Sequence, residues 1–486
     1  MEEPTKLTVP ETPADRLGAS RRLFLGLAGA SAGAAALSAC AAGGGGGGEE
    51  GGGAVSEGGG EVSDDNPFGI DTAGTVDVVI FNGGYGDQYA KDAGTKYKEL
   101  YPDSDPQVSS TVNIQPDLQP RFIDGTPPDL FDNSGAQSMN AGALISEGSL
   151  ADITALLEAP SLDGEGTVGD TLLPGALDPG TYSGTVYALN YVYTVYALWY
   201  SGAQFEEKGW APPTTWDELM TIGEAAKGEG LALLPWGGQN ASNYYQELAI
   251  SMAIKEGGDE IRTKIDSLAE DAFSQDAVVA AYAAIEEAVT AGYFLSGGAS
   301  IKHTEAQTQW VTGKAVMYPS GSWIENEQRD TTPEGYQMMA CPVPLLSSGA
   351  AMPLEAIHGT AGEPFFIPSQ AAHGAGGLEF LRVMLSKEQA ENFSSMTSSP
   401  TIVKDTIPDD AFGSTALAST NEMIKAAGEN TFHFNFRDWY GLGPDSVTLW
   451  TEFLNGDITA DQAREREQGL IDAVREDDSI DKFDVV

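Results

Sequence analysis

The chain has 486 residues, 72 acidic against 25 basic side chains, a formal net charge of −47 and two cysteines. Such an acidic surface repels nucleic acid and anionic lipid headgroups, so no nucleic acid partner is expected. With two cysteines no disulfide framework is available, and stability has to come from packing.

Near the start, Arg21 and Arg22 precede Phe24, a short apolar run, small residues and then Leu37-Ser38-Ala39-Cys40. That order is the order of an export signal of the twin-arginine type ending in a lipobox, so residues 1–39 are expected to be removed. The apolar run is shorter than the roughly 20 residues that cross a bilayer. Lipidation of Cys40 would tether the mature chain to the outer face of the membrane. Residues 41–64 are mostly glycine with a few acids and cannot bury a core. Residues 40–65 therefore read as an anchor and a flexible leash, spanning about 25–30 Å on random-coil scaling.

From Asn66 onward about 420 residues remain, too many for one core and typical of two domains of about 200. Val76–Phe81 reads as a strand, ending in a glycine-rich turn at residues 82–87. A helix follows over 88–100, with Tyr89, Ala93, Tyr97 and Leu100 at helical spacing. In open α/β sheets the turn at the strand's C-terminal end faces the ligand crevice. Further strands are predicted near 129–132, 186–189 and 194–200, and helices over 215–227, 245–256, 276–291, 378–396 and 459–476. Their alternation predicts an α/β protein with a mostly parallel sheet in each lobe. Cys341, between Met338-Met339-Ala340 and Pro342, is expected to be a small buried apolar residue.

Enzyme signatures fail on inspection. G-x-S-x-G occurs at Gly29–Gly33, inside the export signal, and G-x-G-x-x-G at Gly164–Gly169 follows a loop where a strand is required. His303, His358, His373 and His433 lie far apart, which leaves no histidine-rich metal site. Two loops stand out instead: residues 236–245, with Trp236, Gln239, Asn240, Asn243, Tyr244 and Tyr245, and residues 430–440, with Asn435, Arg437, Asp438 and Trp439. Flat rings beside amides are what a sugar needs, because its C–H face rests on a ring while its hydroxyl rim needs donors and acceptors.

Four segments in order resemble the solute-binding lipoproteins of sugar ABC transporters: Gly125–Leu130, Val186–Asn190 running on to Trp199-Tyr200-Ser201, Pro212–Leu219 and Gly313–Trp323. Within that family, Asn66–Gly69, Val79–Ala90, Asp132–Ala136 and Ser320–Glu327 are similar to the actinobacterial branch that binds N-acetylglucosamine and chitobiose. The resemblance implies a two-lobed periplasmic-binding-protein-like α/β fold of the larger sugar-binding type, with a hinge and an interlobe cleft. Crossings fall near 189–193, 341–344 and 400–406, so residues 66–188 and 345–400 form lobe 1, and 189–344 and 401–486 form lobe 2. The ligand-facing residues it implies are Tyr85, Asp87, Asn133, Ser134, Asn190, Tyr193, Thr194, Tyr244, Tyr245, Trp323 and Trp439, with Trp236 and Glu363 added. It implies a monomeric receptor that closes on its sugar and delivers it to permease subunits, without catalysis, cofactor or metal. Pro128, Pro213 and Trp216 read as structural, serving turns and caps. The alternative is a lipid-anchored glycosidase acting on chitin-type sugars, against which no D-x-x-D-x-D-x-E run is found.

Overall fold

The computed structural model describes residues 53–485, apart from 57, 136, 165 and 174. The signal, Arg21, Arg22, Cys40 and the first part of the leash lie outside the described residues, as does Ala136.

Strands β1 (Thr75–Phe81), β2 (Asp105–Thr111) and β3 (Leu130–Asp132) pair in parallel in the order β2-β1-β3. Helices Gln88–Leu100 and Ile114–Ile123 make the crossovers. The first of these buries Tyr89, Ala93 and Tyr97, the residues whose spacing marks it in the sequence. A hairpin of β4 (Thr181–Tyr182) and β5 (Thr185–Val186) leads into β6 (Ala188–Ser201), one strand where the sequence pattern predicts two. Its run of aromatic and β-branched residues is buried throughout except at Tyr196, as expected of a strand covered on both faces. At about 3.3 Å per residue it is about 45 Å long, enough to traverse both lobes.

The remaining strands are β7 (Met317–Gly321), β8 (Met338–Cys341), β9 (Ile357–Phe366) and β10 (Thr431–Phe432). Strand β6 pairs with β9 from Ala188 to Tyr196 and with β7 and β8 from Tyr196 to Ser201, in each case antiparallel. Because β9 also pairs with β3 and β10, one eight-stranded sheet runs through both lobes. It is mixed, not mostly parallel, since β6 runs against β7, β8 and β9, and β9 runs against β3.

One core gathers β1, β3, the middle of β6 and helices Gly374–Met384 and Lys387–Thr397. A second is built on helices Trp216–Gly228, Tyr244–Gly257, Asp276–Thr290, Gly443–Leu454 and Ala460–Glu476. The single helix predicted over 378–396 is two, because Ser386 turns extended and caps the second with its own side chain. Trp216 is buried, its indole N–H donating to Glu287, while Thr215 caps the helix that Trp216 opens.

The chain connects the lobes through β6, through β9 and through residues 398–403, where Tyr193 N–H donates to Pro400 O and Ile402 N–H to Tyr191 O. The second connection lies later than 341–344. Leu345 N–H still donates to Thr214 O and Met352 N–H to Lys255 O, so residues 345–356 stay with lobe 2 and the chain returns to lobe 1 along β9.

The leash is also shorter than its composition predicts. Asp152 N–H donates to Gly53 O, Val55 packs on the first core, Gly374 N–H donates to Ser56 Oγ at 2.8 Å and Gly60 N–H to Gly69 O at 2.7 Å. A Cβ at Gly58 or Gly60 would collide with the Gly69 or Ile70 carbonyl. These glycines thus serve close backbone approach as well as freedom. Cys341 is buried with its thiol on Leu198 O, and burial pushes it up to about 12, so it is inert as the sequence predicts.

Candidate functional site

Between the lobes, at the C-terminal ends of β1 and β3, lies a cleft of about 880 Å³. That is within the range of about 300–1,000 Å³ that small-ligand sites occupy. Strands β6 and β9 supply its floor through Asn190, Tyr196, His358, Thr360 and Pro364. Lobe 1 contributes Asn133, Met139 and Tyr182, while Asn240, Asn243, Asn435, Arg437, Asp438 and Trp439 come from the two amide-rich loops.

The charged groups at the floor hold one another in place. The Arg437 guanidinium pairs with Glu247 Oε1 and lies 3.4 Å from Asp438 Oδ1, and Glu247 Oε2 is 3.2 Å from His358 Nδ1. Burial pushes the Glu247 carboxyl up, but Arg437 and His358 overcome it and hold the group at about 2. His433, whose Nδ1 lies 3.1 Å from His358 Nε2, is pushed down to about 3 by burial and is neutral. The His358 ring is sandwiched between Tyr196 at 4.4 Å and Phe434 at 4.5 Å. A floor so braced holds its guanidinium and its polar atoms in fixed positions, which suits a hydroxyl-rich ligand.

Of the residues the sequence singles out, Asn133, Asn190 and Trp439 line this cleft. Asn133 spends its amide on the loop itself, donating to Met139 O at 2.9 Å and accepting from Met139 N–H at 2.8 Å. Asn190 Nδ2 and Trp439 Nε1 are buried donors with no partner in the protein. Buried donors are almost always paired, and these two are free to meet acceptors that enter the cleft.

Tyr85, Ser134, Tyr244, Trp323 and Glu363 gather at the seam beside the cleft, not along its lining. Tyr85 packs on Phe393 at 5.4 Å, and its hydroxyl lies near Glu363, Ser399, Glu327 and Tyr244. Trp323 stands edge-on to Tyr196 at 5.6 Å and packs on the Tyr244 ring at 5.9 Å. Ser134 Oγ donates to Asp132, whose carboxyl lies near enough to Glu363 for the two to influence each other's proton. Burial pushes both acids up, and each raises or accommodates the other's proton.

The rest belong elsewhere. Asp87 is held by Lys91 at 2.8 Å and Ser110 at 2.6 Å. Tyr193 points to the opposite side of β6 from Asn190, toward Gly359 and Thr431. Thr194 is buried against Gly362. Trp236 donates its indole N–H to Leu295 O, and Tyr245 donates its hydroxyl to Pro235 O beside Phe294. These two are core residues of lobe 2, because one step along the helix from Tyr244 turns the side chain by about 100° into the helical layer. Tyr196, His358, Thr360, Met139 and Tyr182 are cleft residues that no sequence signal marks, since only strand pairing and loop folding bring them together.

A single sheet spanning two lobes, with a polar cleft between them, defines a two-lobed binding protein. The chain matches the model of the bacterial extracellular solute-binding proteins over residues 54–391, and it belongs to that family. It is 43% identical over 426 residues, covering 87% of this chain and 90% of the relative, to the diacetylchitobiose binding protein NgcE of Streptomyces coelicolor. Among solved structures, one from work on xylan utilization by the thermophilic bacterium Caldanaerobius polysaccharolyticus superposes with a TM-score of 0.66 at 18% identity, covering 82% of this chain and 100% of that one. A chitin oligosaccharide binding protein gives 0.63 at 18%, covering 82% and 98%. A probable secreted solute-binding lipoprotein of Streptomyces coelicolor gives 0.64 at 18%, covering 81% and 98%. These structures share the fold. The family binds solutes without transforming them, and the chain is a receptor, not an enzyme.

Proposed function

We propose that this receptor is the extracellular sugar-binding component of an ABC importer and that its ligand is diacetylchitobiose or a related N-acetylglucosamine sugar. The observation that carries this reading is the pair of orphaned donors, Asn190 Nδ2 and Trp439 Nε1, in a polar cleft between the lobes. Hydroxyl and acetamido oxygens are neutral acceptors for both, and Trp439, Tyr182 and Met139 offer apolar surface to the sugar's C–H face. The extensive likeness to a diacetylchitobiose binding protein supports the choice of sugar.

Closure is by rotation of the lobes about β6, β9 and residues 398–403, and the closed form gains stability only when sugar bridges the two walls. Tyr85, Ser134, Tyr244, Trp323 and Glu363 at the seam then meet the distal part of the ligand. Export follows the twin-arginine route, and a lipid on Cys40 holds the monomer near its permease. Among the described residues no helix is long and apolar enough to cross a membrane.

Calorimetric titration with N-acetylglucosamine and its short oligomers tests the reading. A single saturable site with the sugar recovered intact is expected; no binding of any acetylated sugar, or steady release of monosaccharide, would overturn it. In parallel, Cys40→Ser should release the protein from the membrane fraction, and continued retention rules out the anchor.

A further inference from the structure

Beyond the last helix, residues 477–485 run back across the molecule and touch both lobes. Ile480 N–H donates to Asp477 O, and Lys482 Nζ caps Ile480 O at 2.6 Å, which shapes the turn. Asp481 Oδ2 then accepts from Ser146 Oγ at 2.7 Å, on helix Ala141–Ser146 of lobe 1. Phe483 N–H donates to Tyr440 Oη at 3.2 Å, in lobe 2. The Phe483 ring lies 5.1 Å from Tyr182, 5.6 Å from Trp439 and 6.0 Å from Tyr440, and it covers Gly142, where a Cβ would meet Phe483 Cζ at 3.3 Å.

Tyr182 and Trp439 line the cleft from opposite lobes, and Phe483 packs behind both. We propose that Phe483 is a positioning residue for the sugar site: the 477–485 segment clasps the lobes together and sets the angle at which Trp439 and Tyr182 present themselves to ligand. The second part rests on the sugar-binding reading above. The clasp itself does not, because Asp481–Ser146 and Phe483–Gly142 are contacts within the protein.

The physical basis is that a ring wedged among three others in edge and offset geometries fixes their rotamers. Without it Trp439 keeps, among the described residues, only Tyr440 as an aromatic neighbour. Bound sugar should then leave sooner, because the wall that holds it no longer has one orientation.

The experiment compares the full chain with Phe483→Ala, Phe483→Tyr and Ser146→Ala. Amide exchange of the unliganded proteins is read over 141–146 and 436–442, and binding is measured with diacetylchitobiose. For Phe483→Ala, exchange should accelerate in both segments and the sugar should dissociate roughly tenfold faster with association unchanged. Phe483→Tyr should restore both, and Ser146→Ala should accelerate exchange over 141–146. Unchanged exchange over 141–146 in both Phe483→Ala and Ser146→Ala overturns the clasp. Faster exchange with an unchanged dissociation rate overturns the positioning role. If the parent chain binds no acetylated sugar, the ligand reading fails, yet the exchange measurements still decide the clasp.

Discussion

Trp439 carries two separable contributions, a ring that walls the cleft and an indole N–H that no protein atom accepts. Trp439→Phe keeps most of the ring and deletes the donor. The unliganded protein loses no hydrogen bond, so its melting temperature should hold, while sugar affinity should fall by about 1–3 kcal/mol as the ligand's acceptor is left without a partner. Equal affinity for the two proteins in titration would remove the indole N–H from the site. The same scale shows how far residue-level reading reaches. The amide and ring content of residues 236–245 and 430–440 points to the cleft. Which side chains enter it does not follow from content: Asn240, Asn243 and Trp439 do, whereas Trp236 and Tyr245 are consumed by Leu295 O and Pro235 O. Asn133 is in the right place, but its amide serves Met139.

Three helices of lobe 2 are tied at a single buried carboxyl. Glu467, on helix Ala460–Glu476, accepts from Trp450 Nε1 at 2.7 Å on helix Gly443–Leu454 and from Gln246 Nε2 at 2.8 Å on helix Tyr244–Gly257. Burial pushes this carboxyl up to about 7, against roughly 4.3 in an unfolded chain. The native state therefore holds the proton more tightly than the unfolded state, and this contribution is full below about 4 and lost as pH rises through 7. Glu467→Gln keeps both accepted hydrogen bonds on Oε1 without the titration. Its chemical denaturation midpoint should exceed the parent's at pH 8 and match or fall below it at pH 5; a difference independent of pH would assign the effect to packing alone. Element boundaries were partly legible. Period-3.6 runs located the helices of lobe 2, but β6 is continuous across a predicted gap and residues 378–396 are two helices, because pairing with β9 and the Ser386 cap are decided at those points.

At the scale of the whole molecule, 72 acidic residues against 25 basic ones oppose compaction by self-repulsion, and ion pairs on the surface recover little of it. Raising ionic strength from about 0.05 M to about 1 M shortens the screening length from over 10 Å to about 3 Å. The melting temperature should therefore rise with added sodium chloride, and an unchanged value would mean that the carboxylates are spaced too widely to matter. Composition and order of motifs told much that is global: two lobes of α/β structure and a solute-binding receptor family. Such properties are sums over many residues or short contiguous patterns, so they survive without coordinates. The crossing along β9, the docking of Gly53 and Ser56 on lobe 1, the neighbouring acids Asp132 and Glu363 and the Arg437–Glu247–His358 floor could not be read that way. Each joins residues from about 80 to more than 300 positions apart, and a side chain's partner at that distance is set by how the sheet registers and how the lobes pack, not by its neighbours in the chain.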